Sequence, residues 1–232
     1  MQKKALKVIL NFILLLTFST TPSYSLTTSF SHAKQIAKKI YSIHRVTFYC
    51  GCKYNGRNQV NWASCGYSPR RNQRRASRVE WEHIVPAWAF GHTRQCWREK
   101  LCTDAKGRKF KGRSCCRKID PAFRAMEADL HNLVPAVGEI NGDRNNYSFG
   151  MLGNYVSEYG RCDFVVDRNL RTVQPPEYTR GFIARTYFYM HEKYGLPISS
   201  QKVKLFKVWD KQYPPDTWEK MRAAWITGQQ LF

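Results

Sequence analysis

The sequence predicts a mixed α+β fold pinned by disulfides, and three observations carry that expectation. Apolar residues recur at helical spacing in several segments, residues 26–45 and 179–194 among them. Runs rich in β-branched and aromatic residues, 46–50 and 77–84, read as strands between the helices. Eight cysteines, at positions 50, 52, 65, 96, 102, 115, 116 and 162, stand behind a leader of the kind that directs export, where disulfides form and persist.

Taken in order, the leader comprises Lys3, Lys4 and Lys7, an apolar stretch over 8–18, and the small-x-small site Ser23-Tyr24-Ser25. The stretch falls short of the roughly 20 residues that cross a bilayer. It also contains Asn11, so residues 1–25 read as a cleaved signal peptide and 26–232 as one domain. Next, Ala33, Ile36, Ala37, Ile40 and Tyr41 recur with helical period between lysines. Residues 50–69, rich in Gly, Asn and Cys, read as a loop that a local Cys52–Cys65 bridge would staple. Beyond the strand at 77–84, residues 94–118 form a basic, cysteine-bearing loop, long for a compact domain. Asp120-Pro121 opens a helix, with Asp as N-cap and Pro in the first position, and Phe123, Met126, Ala128 and Leu130 on the apolar side. Pro135 is expected to start a second helix that ends near Gly142. Residues 162–166 read as a strand, and 179–194 as a helix stopped by Gly195-Leu196-Pro197. Residues 201–212 form a helix that buries Val203, Phe206 and Trp209, and 218–225 add a last turn or two.

The formal charge is +21, and +18 once the three leader lysines are removed. Such a balance points to a polyanionic partner: nucleic acid, anionic lipid or acidic glycan. The excess is spread along the chain, with denser patches at 70–78 and 106–118, which suits contact with a backbone better than reading of bases. The cysteine spacings C-x-C at 50/52 and C-C at 115/116 are not the C-x₂-C pairs of structural zinc sites, so four disulfides are expected.

The chemistry concentrates in residues 78–86 and 129–141. Glu82 and His83 are neighbours, and strand alternation lets them share a site only where the strand ends or bends; Pro86 is consistent with such an end. A neutral histidine suits deprotonation of water. A carboxylate and an amide oxygen suit one hard divalent cation. Those are the needs of phosphodiester hydrolysis. Spacing alone leaves Asn132 and Asn141 both open as the amide ligand.

Several motifs in order resemble the bacterial endonuclease I family of exported, sequence-nonspecific nucleases. They are Trp81-Glu82-His83-Ile84-Val85-Pro86-Ala87-Trp88, Phe90-Gly91-His92, the run from Met126-Glu127-Ala128-Asp129 through His131-Asn132-Leu133-Val134-Pro135, and Glu139-Ile140-Asn141-Gly142-Asp143-Arg144. Phe48-Tyr49-Cys50-Gly51-Cys52-Lys53, Ala184-Arg185-Thr186-Tyr187 and Trp209-Asp210-Lys211-Gln212-Tyr213-Pro214 extend the likeness over nearly the whole mature chain. The resemblance implies a ββα-metal (His-Me finger) nuclease core with surrounding helices and short strands. It implies cleavage of DNA and RNA to 5′-phosphate ends by a periplasmic or secreted protein, expected to be a monomer with no membrane contact after leader removal.

By the same resemblance His83 is the general base, and Glu82 and Asn141 hold magnesium, with manganese or calcium as alternative occupants. Asn132 would support them or fix the loop, while Glu127, read from its helix-face position alone, either orients the water or a neighbouring arginine or is a solvated charge or salt-bridge partner. Arg113, in Gly112-Arg113-Ser114-Cys115-Cys116, is the phosphate contact, with Arg108 and Arg98 as rivals. Cys96–Cys116 is the inherited bridge, Cys102–Cys115 the staple of a longer loop, and Cys50–Cys162 the remaining pair. His92 and His131 read as structural. Arg144, Arg180 and Arg185 either touch phosphates or pin acidic side chains, and Trp62, Trp88 and Trp97 either stack bases or fill core. Two rival classes stand beside this reading. A noncatalytic, basic, secreted nucleic-acid-binding protein explains the charge but not the Glu-His pair. A zinc hydrolase would use His83, His92 or His131 as ligands.

Overall fold

The computed structural model describes residues 29–153 and 156–228, so the expected signal peptide lies outside it. Helix α1 (Phe30–Ile40) begins where the Ser29 side chain accepts from the His32 N–H, and it buries Ala33 and Ala37. The strand expected at 46–50 is instead a turn. Gly51 sits at φ +66°, its N–H returns to the Thr47 carbonyl, and Cys52 N–H bonds Thr47 Oγ1. The aromatic run meets its burial demand by packing over this turn, and Phe48 spends its N–H on the Pro135 carbonyl rather than on a partner strand.

Helix α2 (Gln73–Ala76) leads into β1 (Val79–His83). Short helices α3 (Ala87–Gly91) and α4 (Gln95–Arg98), a hairpin of β2 (Cys102–Thr103) and β3 (Lys109–Phe110), and α5 (Arg113–Ile119) follow. Residues 94–118 are therefore built structure rather than one long loop, because two disulfides, Cys96–Cys116 and Cys102–Cys115, give each short element a fixed neighbour. Helix α6 (Pro121–Glu127) has Asp120 as its N-cap, accepting from Phe123 N–H, and Pro in its first turn.

Strand β4 (Leu133–Val137) pairs antiparallel with β1, Val79 opposite Val137 and His83 opposite Leu133. Pro135 thus lies within a strand and does not start a helix; helix α7 (Gly138–Arg144) begins three residues later. Proline is tolerated because the sheet has only two strands and Pro135, opposite Trp81, turns its carbonyl outward to Phe48. A second sheet is ordered β5 (Ser148–Phe149), β7 (Thr172–Gln174), β6 (Val165–Asp167), and its Phe149 and Val173 join the core cluster that holds Ile140 of α7. Helix α8 (Glu177–Tyr194), ended by Gly195 in the left-handed region, packs on α9 (Ser200–Gln212), and α10 (Thr217–Ile226) returns to β4. Phe206 and Trp209 of α9 are buried, while Val203 stays at the margin. Cys50–Cys162 and Cys52–Cys65 tie the turn at 47–52 to the rest of the core. No helix among the described residues is long and apolar enough to cross a membrane.

Candidate active site

The site is assembled on β1, β4 and α7. Strand alternation sends Glu80 and Glu82 towards α7 and His83 to the opposite face, towards α6. Because β1 stops at His83 and the chain bends at 84–85, both groups stand at one strand end. Burial dominates the titration of both groups, and the Arg113 charge reaches both, pulling weakly against burial at Glu82 and adding to it at His83.

His83 is 5% exposed, and its Nε2 lies 2.8 Å from the backbone carbonyl of Glu127. A carbonyl only accepts, so Nε2 carries the hydrogen and Nδ1 of the neutral ring is left as the basic atom. Burial, reinforced by the Arg113 charge, pushes the imidazole down to about 4, so the ring is neutral across the physiological range. Phe30 of α1 lies against it at 5.0 Å and Phe90 at 6.2 Å.

The carboxylate of Glu127 is fully buried and accepts Arg113 Nε (2.6 Å), Arg117 Nε (2.7 Å) and Arg117 Nη2 (2.6 Å). Burial alone would raise this carboxyl, but bonds from Arg117 and Arg113 outweigh it and hold Glu127 below the ordinary carboxylate range. Arg113 Nη2 is buried yet has no hydrogen-bond partner. An orphaned guanidinium nitrogen costs free energy unless an anion meets it. Neither rival arginine reaches this cluster: Arg108 pairs with Asp104 in the exposed turn of the β2–β3 hairpin, and Arg98 is exposed on α4.

Glu82 is 4% exposed. Tyr49 OH donates to its Oε1 at 3.1 Å, and Arg144 Nη1 stands 3.4 Å from the same oxygen, so neither occupies Oε2. Burial pushes this carboxyl up to about 7 against the pull of Arg144. Asn141, half-buried on α7, donates Nδ2 to Glu80 Oε2 at 3.1 Å, and its Oδ1 accepts no hydrogen bond among the described residues. Asn132 differs: it is wholly buried, its Oδ1 accepts Val85 N–H (2.7 Å) and its Nδ2 donates to Val85 carbonyl (2.9 Å). Its amide is spent on pinning the chain just beyond β1. Two oxygens of hard character, Glu82 Oε2 and Asn141 Oδ1, therefore remain on the α7 side, a donor set that fits magnesium, manganese or calcium better than zinc.

The other candidates make contacts within the fold. His92 stacks on Trp88 at 3.9 Å and bonds its carbonyl, and His131 packs on Tyr189 at 4.4 Å. Arg180 pairs with Glu177, Arg185 with Glu219 and Asp210, and Arg144 with Glu82. Trp62 donates its indole N–H to the Ala76 carbonyl, and Trp97 packs on Phe123. All eight cysteines are in disulfides, and no cluster of three or more His, Cys, Asp or Glu suited to a metal occurs among the described residues. Sequence reasoning missed Arg117, Phe30, Tyr49 and Glu80. Signals existed for three of them: Arg113 and Arg117 stand one helical turn apart, Glu80 is two strand positions from Glu82, and Tyr49 lies in the Phe48–Lys53 motif.

A family model described as Endonuclease I matches residues 5–231. The chain belongs to the endonuclease I family. Among curated members it is 48% identical to an extracellular deoxyribonuclease of Aeromonas hydrophila over 195 residues, 82% of this chain and 80% of that one. It is 49% identical to a periplasmic deoxyribonuclease of the same organism, covering 82% and 77%. Endonuclease-1 of Buchnera aphidicola subsp. Acyrthosiphon pisum is 46% identical over 205 residues, 87% and 77%. As an endonuclease I chain the protein is a nuclease, and the basic balance has its polyanion.

Proposed function

We propose that this nuclease is exported, to the periplasm or beyond, by cleavage of a signal peptide over 1–25, and that 26–232 act as a single monomeric domain. It hydrolyses phosphodiester bonds of DNA and RNA without reading sequence, and β1, β4 and α7 are its ββα-metal core. The observation that carries the reading is the anchoring of His83 Nε2 on the Glu127 carbonyl beside the orphaned Arg113 Nη2. That arrangement aims a base at one atom and an anion contact at its side.

In this reading His83 Nδ1 takes the proton of the attacking water. Arg113 Nη2 binds a non-bridging oxygen of the scissile phosphate, while its Nε stays on Glu127, which prevents the side chain from following the substrate away. Arg117 keeps Glu127 neutralised from the other side. Glu82 and Asn141 would hold a divalent cation, magnesium in ordinary use, which when bound supplies positive charge to the phosphate and the departing 3′-oxygen, so that 5′-phosphate ends result. Arg71 and Arg74, exposed and without ion pairs among the described residues, extend the basic surface along the backbone of the substrate.

The test is nicking of supercoiled plasmid by the oxidised protein. Wild type should cleave with magnesium and stop in excess chelator, while His83→Ala should lose about 10² to 10⁴ in turnover and still bind DNA. Cleavage by His83→Ala at the wild-type rate would remove the base from this scheme, and binding without cleavage throughout would leave a noncatalytic nucleic-acid-binding protein.

A further inference from the structure

Glu80 stands two residues before Glu82, on the same face of β1, yet it is committed differently. Its carboxylate accepts Arg75 Nε (3.1 Å) and Nη2 (2.5 Å), Arg78 Nε (3.1 Å) and Nη2 (2.8 Å), and Asn141 Nδ2 (3.1 Å). Two guanidinium groups thus crowd a carboxylate that would otherwise present free oxygens beside those of Glu82. Arg75 is itself wedged against α7. A Cβ at Gly142 would lie 2.0 Å from Arg75 Nη1, and one at Gly138 would lie 2.5 Å from the Arg75 carbonyl oxygen. The helix reaches Glu80 closely only because both positions are glycine.

The consequence falls on Asn141. A side-chain amide can present either its oxygen or its NH₂ by turning over about its last bond, and the two faces have opposite affinity for a cation. Beside a carboxylate already serving as acceptor for two arginines, the amide turns its NH₂ inward, and Oδ1 is presented outward.

We propose that Glu80 is the positioning residue of the metal site: it locks the Asn141 amide with Oδ1 towards the cation, and Arg75 and Arg78 prevent it from taking the cation itself. The inference rests on the assignment of Asn141 as a ligand made above. Outer partners of this kind raise metal affinity roughly 10- to 100-fold in other sites.

The experiment is calorimetric titration of Mg²⁺ alone into the mature oxidised protein, with kcat measured across metal concentration and Tm recorded. Glu80→Ala should bind Mg²⁺ about 10- to 100-fold more weakly, with kcat at saturating metal within about threefold of wild type. Glu80→Gln retains an acceptor oxygen and should recover most of the affinity. If Glu80→Ala does not fold, Glu80→Met fills the space without an acceptor, and the Met–Gln difference carries the comparison. Wild-type affinity in Glu80→Ala or Glu80→Met, or equal loss in Met and Gln, overturns the proposal, and a fall in Tm alone does the same. Asn141→Ala is the reference. If it binds weakly while the Glu80 variants bind normally, only the positioning role is lost. If it binds as wild type, the ligand assignment fails and this inference with it.

Discussion

Replacing Asn132 and Asn141 separately by alanine should produce opposite phenotypes, although the two asparagines looked alike by spacing. Asn132→Ala removes two buried hydrogen bonds, to the N–H and the carbonyl of Val85, and admits no water to replace them because the side chain is wholly enclosed. Each bond is worth about 1 kcal/mol net, and leaving the Val85 N–H stranded adds about 1–3 kcal/mol, so a loss of about 3–5 kcal/mol is expected. For a chain of this length that lowers Tm by roughly 6–20 °C. Magnesium affinity measured below the transition should be unchanged. Asn141→Ala removes one bond on a half-exposed helix, and Glu80 keeps its four arginine contacts, so stability should fall by no more than about 1 kcal/mol while magnesium affinity collapses. Urea unfolding and calorimetry on the same preparations decide the matter. A cost under about 1 kcal/mol for Asn132→Ala, or loss of metal binding in that variant, would refute the division of roles.

Three further outcomes follow. Arg113→Ala should cut kcat by about 10² to 10³, and Arg113→Lys should not restore it because one ammonium cannot hold Glu127 and a phosphate together; an equal loss in Arg108→Ala would reverse the assignment. Removing Cys50–Cys162, which closes a separation of 112 residues, should cost about 2–5 kcal/mol, and full reduction should abolish nicking; an active reduced enzyme contradicts this. The third concerns pH. Burial first of all puts His83 and His131 at about 4 in the fold against 6.5 in the open chain, so their contribution to stability is intact above pH 6.5 and is lost as pH falls towards 4. Glu82, at about 7 against 4.5, has the opposite sign: its contribution is present below 4.5 and lost as pH rises through 7. In chelator His83 and Glu82 nearly cancel from 4.5 to 6.5, leaving the slope of His131, about 1.4 kcal/mol per pH unit, and His131→Phe should flatten urea stability over that window. An unchanged slope refutes the account.

Elements whose signals are local were legible. Asp120-Pro121 starts α6 and Gly195 ends α8 because a cap and a left-handed turn depend on one or two residues. The strand containing Glu82 and His83 was legible for the same reason. Where a partner decides, the reading failed. Val46 to Cys50 has strand composition, but the Thr47 side chain and Gly51 close a turn and no strand comes alongside. Pro135 has the look of a helix start until β1 is placed beside it. The long segment at 94–118 looked loop-like because its order comes from two cross-links between distant cysteines rather than from periodicity. Within the site, the residue types could be read, but the orientation of each group could not. Which nitrogen of His83 is basic depends on the Glu127 carbonyl, and which end of Asn141 faces out depends on Glu80.

That dependence has a common cause. A two-stranded sheet set inside a core has an unpaired row of carbonyls on each edge, and no third strand among the described residues satisfies them. The fold uses buried side chains instead. Arg144 of α7 reaches the carbonyls of His83 and Ile84, Arg222 of α10 reaches those of Leu130 and Leu133, and Asn132 holds Val85. Guanidinium groups are suited to this because each offers several donors in a fixed fork and remains charged when buried. The same Arg144 that bonds the strand-end carbonyls also stands beside Glu82, so one side chain both completes the edge and pulls against the burial that raises the carboxyl of the candidate ligand.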